Sequence, residues 1–564
     1  MTSLNNAATT SPVPEIVARI LAGRGVPAEA VADFLHPKYD EHLHDPYLLS
    51  DMMPAVERIV AAVEAGEQVV VYGDYDIDGI TASAIMLETL AALGLTTARS
   101  YIPDRFEEGY GINAAALEQL QAAGAQLVIS VDCGITSVAE AEWAREHGLD
   151  LIITDHHAVP AVLPEAIAVV NPKRPGDEYP FKDLCGAGVA FKVAQALQLR
   201  TGRPAAGHEK WLLDLVALGT VCDVVDLVGE NRVLAHYGLQ VMRRTRRVGL
   251  RALAAVGGVD IAQITAQQLG FVLGPRMNAA GRLEHAARAL ELVMTADEGR
   301  ALAIAEELEV LNRQRRTDQD AAVKAAEAMA TARQAERAAA GQTDEPVLVL
   351  AHADWSHGIV GIVASKLVEK WHKPVLVAQV MGEVTKGSAR STGTFNMVEG
   401  LRANADLLTK FGGHFYAAGY TLPTERLDDL RAGLCAYYEA SAADTTPPVV
   451  EAEARFADLA DLNWSLYEQL QLLEPYGAAN PVPVLELAGL VAASLSKIGQ
   501  EGAHLRLSLR DSGGRNLAAI GFGLAVKHPQ LAEGQSVTVL GQLNKNEFRG
   551  NSTLQLVISD IRYE

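Results

Sequence analysis

Cysteine is scarce in this chain. The four in 564 residues, Cys133, Cys185, Cys222 and Cys435, lie far apart with no CxxC pair. That excludes a disulfide framework and a zinc site built on thiolates. No apolar run approaches the ~20 residues a membrane helix needs. The opening residues, MTSLNNAATTSPVPE, lack the basic-then-apolar build of a secretory leader. A cytoplasmic protein with no membrane contact is therefore expected. Basic residues are in deficit, 48 against 70 acidic, for a net charge of −22. Phosphate-backbone affinity comes from clustered Lys and Arg, so total charge speaks against a polyanionic partner. A local groove can still be basic on an acidic body. Short clusters exist at Arg243, Arg244, Arg246 and Arg247, at Arg313, Arg315 and Arg316, at Lys386 with Arg390, and at Lys545 with Arg549. Each taken singly reads as a solvated helix face.

What is present is a globular balance, 49% hydrophobic and 21% charged, over a length that suggests three or four domains. Short Val/Ile-rich runs, QVVVYG (68–73), QLVISV (126–131), DLIIT (150–154) and AIAVVN (166–171), alternate with helical stretches. This is the pattern of an α/β fold with a doubly wound parallel sheet. The expected organisation is an N-terminal extension over 1–50, a first α/β domain over 51–300 and a long connecting helix over 301–343. A smaller α/β domain over 344–441 follows, then a proline-containing linker, and a C-terminal β-barrel of OB type over 450–564.

Four short segments carry the chemistry, and three sit where a strand meets its loop. YGDYDIDG supplies Asp74, Asp76 and Asp78. In an extended segment alternate residues point the same way, so the three carboxylates are expected on one side. Such neighbours repel unless a cation holds them. An EF-hand fails here, because its twelfth position is Ile85 rather than a bidentate Glu. ISVDCG supplies Asp132, and ITDHH supplies Asp155, His156 and His157. VCDVVD offers Asp223 or Asp226. Ligands gather at the carboxyl ends of parallel strands, so these segments can share one crevice. Carboxylates with imidazole and no thiolate point to Mg²⁺ or Mn²⁺, and the number of donors suits two ions and phosphate-ester hydrolysis.

DYDIDG, VDCG, TDHH and CDVV, in that order, resemble the motifs of the DHH phosphoesterase superfamily. GGHFYAAG (412–419) is similar to the glycine-rich signature of its associated substrate domain. GPRMNAAGRL (274–283), WSHGIVGIVASKL (355–367), KGSARS (386–391) and EPYGAANPVP (474–483) resemble counterparts in the bacterial single-strand exonuclease branch of that superfamily. The resemblance runs the length of the chain. It implies metal ligation by Asp76, Asp78, Asp132, His156 and Asp223, with Asp132 bridging two Mn²⁺ or Mg²⁺ ions. Asp74 joins that set or flanks it, and His157 meets the scissile phosphate. Asp155 and Asp226 are expected to orient ligands or to be structural. The implied catalytic groups are Asp132, His156 and His157.

The implied activity is 5′→3′ hydrolysis of single-stranded DNA to nucleoside 5′-monophosphates, in DNA repair and recombination. A terminal phosphate suits planar Arg donors. The substrate contacts expected are Arg105, Arg276, Asn278, Arg282, Ser388, Arg390 and His414. His357 opens a helix whose amides could hold an anion. Tyr75, Phe106, Tyr110 and Phe415 are candidates for base stacking. Lys497, Arg506, Lys545 and Arg549 are candidate phosphate contacts on the barrel. The implied partners are a single-stranded DNA with a 5′ end, a single-strand-binding protein and a repair helicase, with the chain a monomer. A DHH-type oligonucleotide or cyclic-dinucleotide phosphodiesterase is the alternative enzyme, though small substrates do not require the barrel. A non-catalytic strand-binding scaffold ranks last, because the ligand set is intact.

Overall fold

A computed structural model describes residues 13–105, 107–447, 450–499, 502–548 and 550–563. Phe106 and Arg549 lie outside the described residues.

Five strands, β1 (Val69–Gly73), β2 (Arg99–Tyr101), β3 (Leu127–Val131), β4 (Asp150–Thr154) and β5 (Ala168–Val170), form one sheet in the order β2-β1-β3-β4-β5. Every pairing in it is parallel. The central strands are apolar throughout because both faces are covered. Val69 and Val71 join one core, with Ile80 and Ile85, while Val70 and Tyr72 join another, with Leu117 and Leu120. This strand order reverses direction between β1 and β3, and the crevice beyond their carboxyl ends is where such folds take ligands.

The helix Glu298–Ala339, 42 residues long, does more than connect. Its first half buries Ile304, Ala305 and Leu308 in the core of the first domain. Its second half buries Ala322, Ala326 and Ala330 in the core of the next. That second domain carries β6 (Leu348–His352), β7 (Val375–Met381), β8 (Val384–Arg390), β9 (Lys410–Gly413) and β10 (Ala417–Pro423) in the order β6-β7-β8-β10-β9. Only β6 and β7 run parallel.

The C-terminal strands are β11 (Ala454–Phe456), β12 (Leu485–Ile498), β13 (His504–Arg510), β14 (Asn516–Gly521), β15 (Ser536–Phe548) and β16 (Asn551–Tyr563). Pairing of β12 with β15 closes β12-β13-β14-β16-β15 into a five-stranded barrel, leaving no open edge on those strands. Part of the N-terminal extension belongs to this barrel. Helix Glu15–Gly23 buries Val17, Ile20 and Leu21 among Leu459, Leu485 and Val539. Tyr39 and Leu49, farther on, pack instead into the first domain. The stretch from Glu15 to Leu49 thus links the barrel to the first domain.

Candidate metal centre and nucleic-acid cleft

The DYDIDG segment is a sharp strand-to-helix turn rather than an extended run. The following helix starts at Ile77, so Asp74 leaves β1, Asp76 caps the helix and Asp78 lies in its first turn. Asp76 Oδ1 accepts from the amides of Asp78 (2.9 Å) and Gly79 (3.2 Å). The three carboxylates therefore converge through a helix cap, which the expectation of an extended segment missed.

Asp78 turns inward. Its carboxylate accepts from the amides of Gly186 (2.5 Å) and Ala187 (2.9 Å) at the start of helix Gly186–Thr201. The approach demands glycine, since a Cβ on Gly186 would stand 2.5 Å from Asp132 Oδ1. Asp132 is 2% exposed and has a φ of 61°, a conformation an L-residue adopts only when its surroundings impose it. Val224, directly after Asp223, also has a φ of 61°. Left-handed backbone thus occurs at Asp132 itself and at the exposed residue that follows Asp223.

His156 Nε2 lies 3.1 Å from Asp132 Oδ1, 3.7 Å from Asp223 Oδ2 and 3.8 Å from Asp78 Oδ2. Three overlapping triads offer one donor atom per residue, all within 4.8 Å of one another. They are Asp74, Asp76 and Asp132; Asp132, His156 and His157; and Asp78, His156 and Asp223. Asp74 Oδ1, Asp132 Oδ1 and both ring nitrogens of His156 are buried without a hydrogen-bond partner among the described residues. Burial and mutual repulsion push Asp74, Asp132 and Asp223 well above the usual carboxylate range, and Asp78 to about 6. Burial, then the neighbouring His157, lowers His156 to about 3, leaving a neutral imidazole. Orphaned oxygens, a neutral nitrogen donor and crowded carboxylates fit a pair of divalent cations.

Asp155 stands apart from that crowd. It accepts from the amides of Ile135, His156 and His157 and from His157 Nδ1 at 2.7 Å. Against its burial, that last bond holds Asp155 at about 2. Burial would lower His157, yet Asp155 raises it to about 9. Asp155 thus holds the ring of His157, and reaches His156 only at its backbone amide. Asp226 offers a backbone carbonyl to Asn231, while Asp223 takes the place in the cluster.

The expected substrate contacts divide. Arg105 lies 4.8 Å over the Tyr75 ring. Lys386, Ser388 and Arg390 alternate along β8 and so share one face. Arg390 Nη1 donates to Ser388 Oγ at 2.8 Å. Burial, then the charge of Arg105, lowers Arg390, and burial with Arg105, Arg315 and Arg390 lowers Arg282 to about 9. These cations face one another across the two α/β domains, and Arg282 Nη1 donates to Gly358 O at 3.2 Å.

His414, on a turn where Gly413 has φ 151°, lies 6.4 Å from the His157 ring and nearly parallel to it. A Cβ on Gly413 would meet Ala417 O at 2.4 Å. His357 does open its helix, His357–Trp371, and Ser356 caps it, accepting from the Gly358 amide.

Two of the expected contacts are engaged within the protein instead. Arg276 pairs with Glu309 at 2.7 Å and donates to Val272 O. Asn278 Oδ1 accepts from Ile77 N at 2.9 Å, so the GPRMNAAGRL helix holds the acidic turn in place.

Sequence reading missed Lys173, whose charge acts on His156, Asp223 and His414. Its one sequence signal is the NPK run directly after β5. Tyr110, whose hydroxyl lies 3.1 Å from His157 Nδ1, lines the same edge. The EPYGAANPVP motif is a domain junction. Arg232, 2% exposed, donates to Leu473 O, Glu474 O and Pro475 O, and Leu227 N donates to Ala478 O at 2.9 Å.

Comparison with known proteins gives three domain matches: DHH family, N-terminal domain, over residues 68–220; DHHA1 domain over 344–440; and RecJ OB domain over 456–560. The single-stranded-DNA-specific exonuclease RecJ of Bacillus subtilis is 38% identical over 97% of this chain and 68% of its own length. That of Salmonella typhimurium is 34% identical over 91% of this chain and 90% of its own. The crystal structure of RecJ in complex with Mn²⁺ from Thermus thermophilus superposes with a TM-score of 0.80 at 32% identity, covering 97% of this chain and 76% of that one. The Mg²⁺ complex from the same organism gives 0.75 at 29%, covering 98% and 75%.

Proposed function

Because this chain belongs to the RecJ family of single-stranded-DNA-specific exonucleases, we propose that it hydrolyses single-stranded DNA from the 5′ end to nucleoside 5′-monophosphates. The observation that carries this reading is the convergence of five carboxylates and a neutral imidazole at the β1/β3 crevice, with buried oxygens that have no hydrogen-bond partner among the described residues.

Asp74, Asp76 and Asp132 would hold one Mn²⁺ or Mg²⁺, and Asp78, His156 and Asp223 the other. When bound, such ions supply a water of lowered pKa and neutralise charge on the phosphate oxygens. The remaining steps fall to the chain itself. The Gly186 and Ala187 amides aim Asp78. Asp155 fixes the ring of His157, which donates to the scissile phosphate. Asn278 holds the acidic turn against Ile77. Arg105, Ser388 and Arg390 take the 5′ phosphate, with Arg282 behind them, and so set the distance from terminus to cleaved bond. His414 closes the cleft from the second domain. Tyr110 and the half-exposed Phe415 and Tyr416 offer faces for stacking unpaired bases.

Family membership supports a role in DNA repair and recombination, and the proposal extends to a cytoplasmic location with a single-strand-binding protein and a repair helicase as partners. No helix among the described residues is long and apolar enough to cross a membrane.

The test is a nuclease assay on a labelled single strand of some tens of nucleotides, set beside dinucleotides and pyrophosphate, with and without Mn²⁺. Mononucleotide release from the long strand alone, dependent on Mn²⁺ and lost in Asp132→Ala, is expected. Preference for dinucleotides or pyrophosphate would contradict the proposal.

A further inference from the structure

Arg315 breaks with its neighbours on the long helix. Arg313 is solvated and paired with Glu309, as the sequence pattern suggests. Arg315 instead turns inward and is 9% exposed. Its Nη1 donates to Gln319 Oε1 (2.8 Å) and its Nη2 to Asn312 Oδ1 (3.0 Å), both neutral amides of the same helix. Its Nε is buried without a partner among the described residues. The nearby acids are engaged elsewhere: Glu309 with Arg276 and Arg313, and Asp320 with Lys366. The charge of Asp320 favours Arg315, but no carboxylate pairs with it among the described residues, and a buried guanidinium so placed is costly unless an anion completes it.

Beside it lies a cavity of about 170 Å³, lined by Arg282, Arg315 and Asn278 together with Gly270, Gly274 and Ile362. That is several times the ~30 Å³ share of one water. No carboxylate lines it among the described residues. The charge of Arg315 disfavours that of Arg282 beside it, which is the electrostatic setting an oxyanion relieves.

We propose that Arg315 and Arg282 form an inner oxyanion site that takes a phosphate group, separate from the one assigned to Ser388 and Arg390. Its source is either a phosphate of the bound strand or that of a free mononucleotide. The chemistry is the same in both cases: a tetrahedral anion accepting from guanidinium N–H groups.

The experiment titrates the full chain in EDTA with inorganic phosphate by calorimetry, so that no metal-held phosphate is counted. Wild type is expected to bind two equivalents and Arg390→Met one. Arg390→Met combined with Arg315→Met should bind at least tenfold more weakly than Arg390→Met alone, and Arg315→Lys in the same background should recover part of the loss. An equivalent lost in Arg315→Met but none in Arg390→Met upholds the inner site and counts against the terminal pocket instead. The proposal is overturned if the double variant binds as tightly as Arg390→Met, or if Arg390→Met binds no phosphate while keeping the wild-type circular dichroism. The result is also negative if bound phosphate reflects an adventitious ion only, unaffected by any Arg315 variant. Two further titrations separate the sources. A strand phosphate predicts that Arg315→Met weakens binding of a 5′-hydroxyl oligonucleotide and flattens its salt dependence by about one phosphate contact. A free mononucleotide predicts weaker thymidine 5′-monophosphate binding with the oligonucleotide unchanged.

Discussion

The two α/β domains are built alike, a sheet with helices against it, yet they present opposite charge to the cleft they share. The first crowds Asp74, Asp76, Asp78, Asp132 and Asp223 at the rim of an all-parallel sheet. The second brings Lys386, Arg390 and His357, whose ionisation is depressed by burial and by neighbouring cations, Arg105 of the first domain among them. A phosphodiester between metal ions and an Arg-bound terminus needs both sides. The contrast shows why a net charge of −22 does not argue against a polyanionic substrate: charge is sorted by face, and the field in a cleft is local.

Breaking the acidic side should have the largest effect. Asp132→Asn is expected to reduce nuclease turnover by more than the ~10–100-fold that loss of an outer orienting partner costs. It should also raise the melting temperature of the metal-free protein, because one of the mutually repelling buried carboxylates is gone, and shrink the Mn²⁺-induced rise seen in wild type. Differential scanning fluorimetry with and without Mn²⁺ reads both. A metal-free variant less stable than wild type would show that the cluster is structural.

Asp155→Asn tests orientation within that same side, with a loss of about 10–100-fold expected in turnover or metal affinity. On the basic side, Arg390→Met should lower the preference for a 5′-phosphorylated over a 5′-hydroxyl strand by about ten- to a hundredfold, the worth of a hydrogen bond to a charged group. Turnover on the 5′-hydroxyl strand should barely change. An equal loss on both strands would place Arg390 in the chemistry rather than at the terminus.

The smallest effect lies outside both faces. Arg232→Met takes the donor from the Glu474 carbonyl and leaves Leu473 O and Pro475 O to Asn480 Nδ2 alone, and should cost about 1–3 kcal/mol in denaturant unfolding. Metal affinity should be unaffected. A fall in metal affinity would couple the barrel junction to the acidic rim, through Leu227 and the segment that carries Asp223.

Asp74, Asp76, Asp78, Asp132, His156 and Asp223, which the structure brings together, were legible as candidates because each lies in a short motif at the end of a strand or helix, although local pattern left Asp223 and Asp226 open and only the family resemblance chose between them. What was not legible depends on distant partners. Nothing near Asp78 announces that the amides of Gly186 and Ala187 hold it. Asn278 reads as a ligand-binding residue until its oxygen is found on the Ile77 amide. Arg243, Arg244, Arg246 and Arg247 look like one surface cluster, yet Arg247 is held by Asp214 and Glu88 and Arg246 lies on Trp211. Helix Glu15–Gly23 carries an apolar stripe, but no local signal says that its partner is a barrel at the far end of the chain. The same limit hid the inward turn of Arg315, because helical periodicity gives a face and not what covers it.

The most direct test of the central claim is Mn²⁺ titration by calorimetry, paired with anomalous diffraction from Mn²⁺-soaked crystals. Two ions per chain, with Asp132 lying between them, and at most one bound by Asp132→Asn, is the predicted result. Crystals with no manganese at the β1/β3 crevice, or binding unchanged by Asp132→Asn, would contradict it.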